Sequence, residues 1–291
     1  MLSPGRGPGH GRAGGSAPGG APGTRWIGTS FKMTKTRAEA VAYAARLREA
    51  LGPELAERAP GVRPFVIPPA TAITAVVSAL GEDSPVLVGA QNAHWEDYGA
   101  WTGELSVPQV ADAGVGLVEL GHSERREHFA ETDATVRLKV AATLRHGLRP
   151  LLCVGENAGV RARGGSVAHV RAQADAALDG LTEDELRSVL IAYEPIWAIG
   201  EGGREPDPAD IAPVFSALAE RYGAGRCAGL LYGGSVNRYN AAELLRVPEV
   251  RGLFVGRGAW RAEDFLALID LVAEAGQPSG ATAPEGVISG R

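Results

Sequence analysis

Cysteine is scarce: the 291 residues hold two, Cys153 and Cys227, and they form no Cys-x-x-Cys pair. Neither a disulfide framework nor a zinc site is suggested, which leaves two reduced thiols of a cytosolic protein. No apolar run approaches the roughly 18 residues that a membrane-spanning helix needs. Basic residues are not in excess either. The formal net charge of −5 argues against nucleic acid or a membrane surface as a general partner. An anionic ligand must then be gripped by local groups, because the overall field would not attract it. Also missing is a glycine fingerprint for a dinucleotide: the first β-rich run continues as Thr-Ser-Phe-Lys (29–32), without the pattern that opens a doubly wound sheet.

The chain is organised as two weak ends around one patterned body. Residues 1–24 are almost all Gly, Pro, Ala, Ser and Arg, a composition that cannot offset its ordering entropy by burial. They are expected to form a disordered leader or to reflect an upstream start codon, and they lack the apolar core of a secretory signal. Residues 276–291 are expected to be a flexible tail. In the body, 25–275, eight short Val-, Ile- and Leu-rich runs alternate with helical spacing. The runs are Trp26–Ser30, Pro64–Pro68, Val86–Ala90, Val115–Leu120, Arg149–Val154, Val189–Tyr193, Gly229–Tyr232 and Leu253–Gly256. They do not alternate apolar with polar, as expected of parallel strands buried on both faces. Helical stretches include Thr36–Leu51, Thr132–His146, Val167–Leu178, Ile211–Arg221 and Asn240–Leu245. Eight such pairs in about 250 residues predict a single α/β domain, a closed (β/α)8 barrel.

Active sites of that fold sit at the C-terminal ends of the strands. The rule selects Lys32, Asn92, His122, Glu194, Gly233–Ser235 and Gly256 before any motif is considered. Glu194 follows a buried strand and precedes Pro195, an apolar stretch (Ile196–Ile199) and a glycine-rich end at Gly200, Gly202 and Gly203. This suits a carboxylate base beneath a closing lid, its proton affinity raised by desolvation. Taken singly, the glutamate could equally be a structural ion pair. His122 opens a helical turn whose positive end favours a neutral ring able to donate to a carbonyl; a lone histidine is more often structural. Lys32 could stabilise a phosphate and a developing oxyanion, or be a solvated surface lysine. Gly200, the Tyr-Gly-Gly-Ser turn (232–235) and Gly256–Gly258 supply backbone groups of the kind that cradle phosphate.

Several stretches in order resemble the triosephosphate isomerase family: Gly-Ala-Gln-Asn (89–92), Thr-Gly-Glu (102–104), Leu-Gly-His-Ser-Glu-Arg-Arg (120–126), Cys-Val-Gly-Glu (153–156), Tyr-Glu-Pro-Ile-Trp-Ala-Ile-Gly (193–200) and Tyr-Gly-Gly-Ser-Val (232–236). The resemblance spans Trp26 to Ala273 and implies a TIM barrel without metal or cofactor. It implies Glu194 as base, His122 as electrophile, Lys32 as anion-stabilising cation and Glu124 as support. It places Gly200, Ser235 and Gly256 on the phosphate of a small phosphorylated sugar. It also implies a homodimer through the loop near Thr102, in which Glu104 and Arg125 could pair. The base glutamate, neutral histidine and closing loop are the handling of proton transfer for which that family is the standard example.

Departures from the family pattern carry information. The usual first-strand motif is Gly-Asn-Trp-Lys; here Thr29-Ser30-Phe31-Lys32 puts serine where an amide neighbours the substrate. The far end of the lid reads Gly-Glu-Gly-Gly (200–203), and Arg257 and Trp260 replace small residues after the last strand. With His-Trp (94–95) and Gly-Ala-Trp-Thr-Gly-Glu (99–104), these features look like the branch that isomerises erythrulose phosphates. The space left by Ser30 would admit one more carbon, and Arg257 would join the substrate contacts. Triosephosphate isomerisation proper and a non-catalytic phosphosugar-binding barrel are the alternatives.

Overall fold

The computed structural model describes residues 23–52, 54–199 and 205–276. Eight parallel strands close on themselves in chain order: β1 (Arg25–Ser30), β2 (Val62–Ile67), β3 (Leu87–Ala90), β4 (Leu117–Leu120), β5 (Arg149–Val154), β6 (Leu190–Tyr193), β7 (Gly229–Tyr232) and β8 (Gly252–Val255). Closure is seen at β1, where Trp26 pairs with Arg63 of β2 on one side and Gly252 of β8 on the other. The expected barrel is therefore the observed one.

Buried strands explain the unbroken apolar runs. Side chains alternate across each strand, and here both directions are covered. Trp26, Phe65, Ile67, Leu117, Leu151, Cys153, Leu190, Ala192, Leu231 and Phe254 pack into the bore. The alternate residues, Ile27, Val66, Val118, Leu152 and Ile191 among them, meet the surrounding helices. Phe65 and Phe254 stack at 5.8 Å between ring centroids, so the interior is filled and not a channel.

The helices start where side chains can satisfy their first free N–H groups. Thr36 and Thr132 cap Arg37–Leu51 and Asp133–Arg145 with complete capping boxes. The helix expected at Ile211–Arg221 in fact runs Pro208–Tyr222, because Asp207 accepts from Ala209 N at 2.9 Å and proline occupies the first turn. β4 starts two residues later than the pattern suggested: Val115 N still bonds back to Val110 O in the preceding turn, and Gly116, which bonds Val88 O and Arg149 N, leads into the strand. Thr24, assigned to the leader from composition, is buried against the body. Residues 1–22 and 277–291 lie outside the described residues, and so does most of what was expected of the two ends.

Candidate active site

Three inward rows of the barrel rise to one mouth. On β1 the inward positions Trp26 and Ser30 continue to Lys32; on β4 Leu117 is followed by Glu119; on β6 Leu190 and Ala192 lead to Glu194. The alternation that fills the bore thus delivers polar groups to its upper end. A cavity of about 420 Å³ opens there, lined by Ser30, Lys32, His122, Glu124 and Glu194 on one side. Gly233–Ser235, Gly256, Arg257 and Trp260 line it on the other. All the sequence-selected residues converge on this cavity except Gly200, which lies outside the described residues, and Asn92. The Oδ1 of Asn92 instead accepts from Lys139 Nζ at 2.9 Å. Lys139 is buried and also ion-paired with Glu131, whose other oxygen accepts from Gly121 N at 3.1 Å. This network fixes the loop that carries His122.

His122 caps the short helix Ser123–His128: its Nδ1 accepts from Glu124 N at 3.1 Å. An accepting Nδ1 bears no proton, so the ring's hydrogen sits on Nε2. Nε2 lies 3.7 Å from Glu194 Oε2. Burial, reinforced by the nearby Lys32 charge, pushes the imidazole down to about 4. The ring is neutral at physiological pH and presents an N–H to the cavity.

Glu194 is 4% exposed. Its backbone N–H donates to Val154 O at 2.8 Å, continuing the β5–β6 ladder. Two glycines make its position possible: a Cβ on Gly155 would stand 1.9 Å from Glu194 O, and one on Gly233 2.6 Å from Glu194 Cγ. Burial, followed by the charge of Glu119, raises the carboxyl to about 8 despite the opposing pull of Lys32. The Oε2 atom has no hydrogen-bond partner. A buried, unsatisfied carboxyl oxygen is costly, and here it faces a space where a proton donor can enter.

Lys32 donates to Glu124 Oε1 at 2.6 Å. Burial lowers its affinity for the proton, but the Glu124 hydrogen bond and the charges of Glu194, Glu124 and Glu119 outweigh that and raise it. Its φ of 48° lies in the left-handed region, which costs a non-glycine residue about 1–2 kcal/mol. Gln91 Nε2 holds the strained peptide by donating to Lys32 O at 2.8 Å. The segment after β6 is fixed as well: Trp197 Nε1 donates to buried Glu156 at 2.8 Å, and Ile196 N donates to Glu156 O at 3.0 Å.

At the opposite end of the cavity Ser235, Gly256 and Arg257 lie together. The N–H of Gly233 is engaged by Tyr193 O at 2.8 Å, so it is not among the groups available to an anion. Two cavity features escaped the sequence reading. Trp260 Nε1 donates to Ser30 O at 3.0 Å, and Ser30 Oγ donates to Glu119 Oε2 at 2.8 Å. The signal for Glu119 was present, since it is the one charge in the apolar run Val115–Leu120. Both cysteines are buried thiols. Among the described residues no group of three His, Cys, Asp or Glu could hold a metal ion, and no helix is long and apolar enough to cross a membrane.

Residues 25–272 match the model of a family described as triosephosphate isomerase. A protein of Mycolicibacterium smegmatis named L-erythrulose-1-phosphate isomerase is 55% identical over 248 residues, 85% of this chain and 93% of that protein. One of the same name from Rhizobium etli is 52% identical over 254 residues, 86% and 93% of the two chains. The crystal structure of triosephosphate isomerase from Bartonella henselae superposes with a TM-score of 0.73 at 34% identity, covering 85% of this chain and 98% of that one.

Proposed function

The chain belongs to the triosephosphate isomerase family, and from that premise we propose that it interconverts L-erythrulose 1-phosphate and erythrulose 4-phosphate. One observation carries the chemistry: a neutral histidine Nε2, a proton-hungry glutamate 3.7 Å away and an ammonium line a single cavity. Ser235, Gly256 and Arg257 hold the phosphate; Gly200, expected beside them, lies outside the described residues. The carbonyl at C2 then lies among Lys32, His122 and Glu194. Glu194 removes the proton from C3, His122 donates its Nε2 hydrogen bond to the C2 oxygen, and Lys32 offsets the charge of the enediolate. Glu124 keeps Lys32 in place. Transfer of the C3 hydroxyl proton to the C2 oxygen, shuttled through His122 Nε2, and return of the abstracted proton from Glu194 to C2 complete the shift of the carbonyl by one carbon.

Substrate length is supported by the names of the relatives and by Ser30. Dihydroxyacetone phosphate and erythrulose 1-phosphate present the same carbonyl next to the phosphate-bearing carbon, and differ by a hydroxymethyl on the carbon that loses its proton. Serine at position 30 provides the extra room. The test compares kcat/KM for the two substrates. A triose preference above about a hundredfold, ~2.7 kcal/mol, would sink the tetrulose assignment in favour of triosephosphate isomerisation. In Ser30→Asn the preference is expected to move toward the triose by roughly tenfold, because a larger amide refills the space. An unchanged ratio rejects space as the cause.

The protein acts as a homodimer through the loop around Thr102. Tyr98 is 90% and Trp101 50% exposed, and Trp101 lies tilted against His94, which stacks on Trp95. So much aromatic surface on one loop is characteristic of an association face. Light scattering should return twice the 30.2 kDa chain mass; a monomer at micromolar concentration would reject the dimer.

A further inference from the structure

Barrel interiors are filled in layers by branched aliphatic residues, and a carboxyl among them costs free energy that hydrogen bonds or a paired charge must offset. Glu119 is such a carboxyl. It takes the inward position two residues after Leu117 on β4 and is only 3% exposed. Burial raises its carboxyl to about 7, although the Ser30 hydrogen bond and Lys32 draw it the other way. None of the steps above uses it. The hydroxyl of Ser30, across the bore on β1, donates to it at 2.8 Å, and Ser30 is itself only 3% exposed. A serine hydroxyl has one hydrogen and two lone pairs. With the hydrogen committed to Glu119, the lone pairs of Ser30 are what the cavity sees. Trp260 fixes the backbone of the same residue through Ser30 O. Ser30 is therefore held at both its carbonyl and its hydroxyl.

The position of this pair relative to the rest of the cavity gives it a role. With the phosphate at Ser235, Gly256 and Arg257 and the carbonyl among Lys32, His122 and Glu194, the carbon remote from the phosphate is directed to the β1 and β4 side. We propose that Ser30 and Glu119 form the chain-length specificity pair of the enzyme: Glu119, a positioning residue, orients the Ser30 hydroxyl so that its oxygen accepts a hydrogen bond from the terminal hydroxyl of a four-carbon substrate. A triose phosphate has no group at that place and gains nothing from the pair. Ser30 thus contributes an acceptor as well as space. The proposal rests on the tetrulose assignment made above.

The test is a double-mutant cycle read as the ratio of kcat/KM for erythrulose 1-phosphate to that for dihydroxyacetone phosphate. Glu119 also raises the proton affinity of Glu194, but that effect acts on both substrates and cancels in the ratio. Ser30→Ala and Glu119→Leu are each expected to lower the ratio about tenfold, the value of one net hydrogen bond. The double variant should lose no more than either single one, because the two act as a unit. Glu119→Gln keeps an acceptor for the serine and should retain most of the wild-type ratio. Inhibition by erythritol 4-phosphate relative to glycerol 3-phosphate should move in the same proportion, which checks binding without turnover. Ser30→Ala needs no repacking of the bore, so its ratio decides even if Glu119→Leu fails to fold. An unchanged ratio in Ser30→Ala, or equal loss on both substrates, overturns the pair while leaving the tetrulose assignment intact. Failure of the wild-type protein to turn over erythrulose 1-phosphate overturns both.

Discussion

Glu194→Gln is expected to lower kcat by a factor on the order of 10³ or more, removing at least what a general base supplies, and at the same time to make the protein harder to melt in alkali. Both effects come from burial. The amide has the shape of the acid but cannot accept the substrate proton at C3. The acid has an affinity raised from its ordinary 4.5 to about 8, chiefly by desolvation and then by Glu119. Between those two values the folded protein holds a proton that the unfolded chain has lost. Stability must therefore fall as pH rises through this window, by about 1.4 kcal/mol per unit for the one group, and the cost is complete above pH 8. Glutamine carries no such cost. The melting temperature of the variant should match the wild type near pH 5 and exceed it by roughly 10 °C or more at pH 9, since each kcal/mol moves a domain of this size by roughly 2–4 °C. Differential scanning calorimetry at the two pH values checks it. Equal melting temperatures at pH 9 would mean that the carboxylate ionises at no cost, and the account of its basicity would be lost with it.

How far the site could be read from the residues depended on the kind of contact involved. Lys32, His122 and Glu194 stand at strand ends, and strand ends follow from periodicity and the barrel rule, so three elements far apart in the chain could be assigned to one mouth. The tautomer of His122 needed more: only the Nδ1 contact with Glu124 N fixes it, and a local cap of this kind uses an unusual residue. Glu119 could be seen as a charge in an apolar run. Its partner could not be foreseen, because Ser30 lies 89 positions away and pairing across the bore depends on strand stagger, which no local pattern records. The same holds for Lys139 with Glu131 and Asn92: helical spacing marks Lys139 as a residue of its helix, not as a buried cation that ties down the loop after β4. Errors at strand and helix ends had a simpler origin. Asp207 and Pro208 begin their helix three residues before the apolar spacing becomes visible.

Lys32→Met should reduce kcat/KM by a factor on the order of 10³, at the upper end of what losing one preorganised anion-stabilising group costs, and should also move the pH dependence. Methionine keeps most of the length and apolar stem, so the loss is mainly of charge. In the wild type the Lys32 ammonium opposes the protonation of both Glu194 and Glu119. Removing it leaves Glu119, Glu124 and Glu194 facing one another without their common cation. The affinity of Glu194 for its proton must then rise above its present value of about 8, and less of the base is free at neutral pH. The acid limb of kcat/KM, which reports the unliganded enzyme, should shift to higher pH than in the wild type. His122 responds in the same direction, since the Lys32 charge is, after burial, the largest cause that holds its ring low. The two possible duties of the lysine separate in the kinetics. Loss of phosphate anchoring alone raises KM and leaves kcat where it was; loss of enediolate stabilisation lowers kcat. A rise confined to KM, with kcat unchanged, would reduce Lys32 to a substrate anchor and remove it from the proton-transfer step, and an unmoved acid limb would reject its electrostatic hold on Glu194.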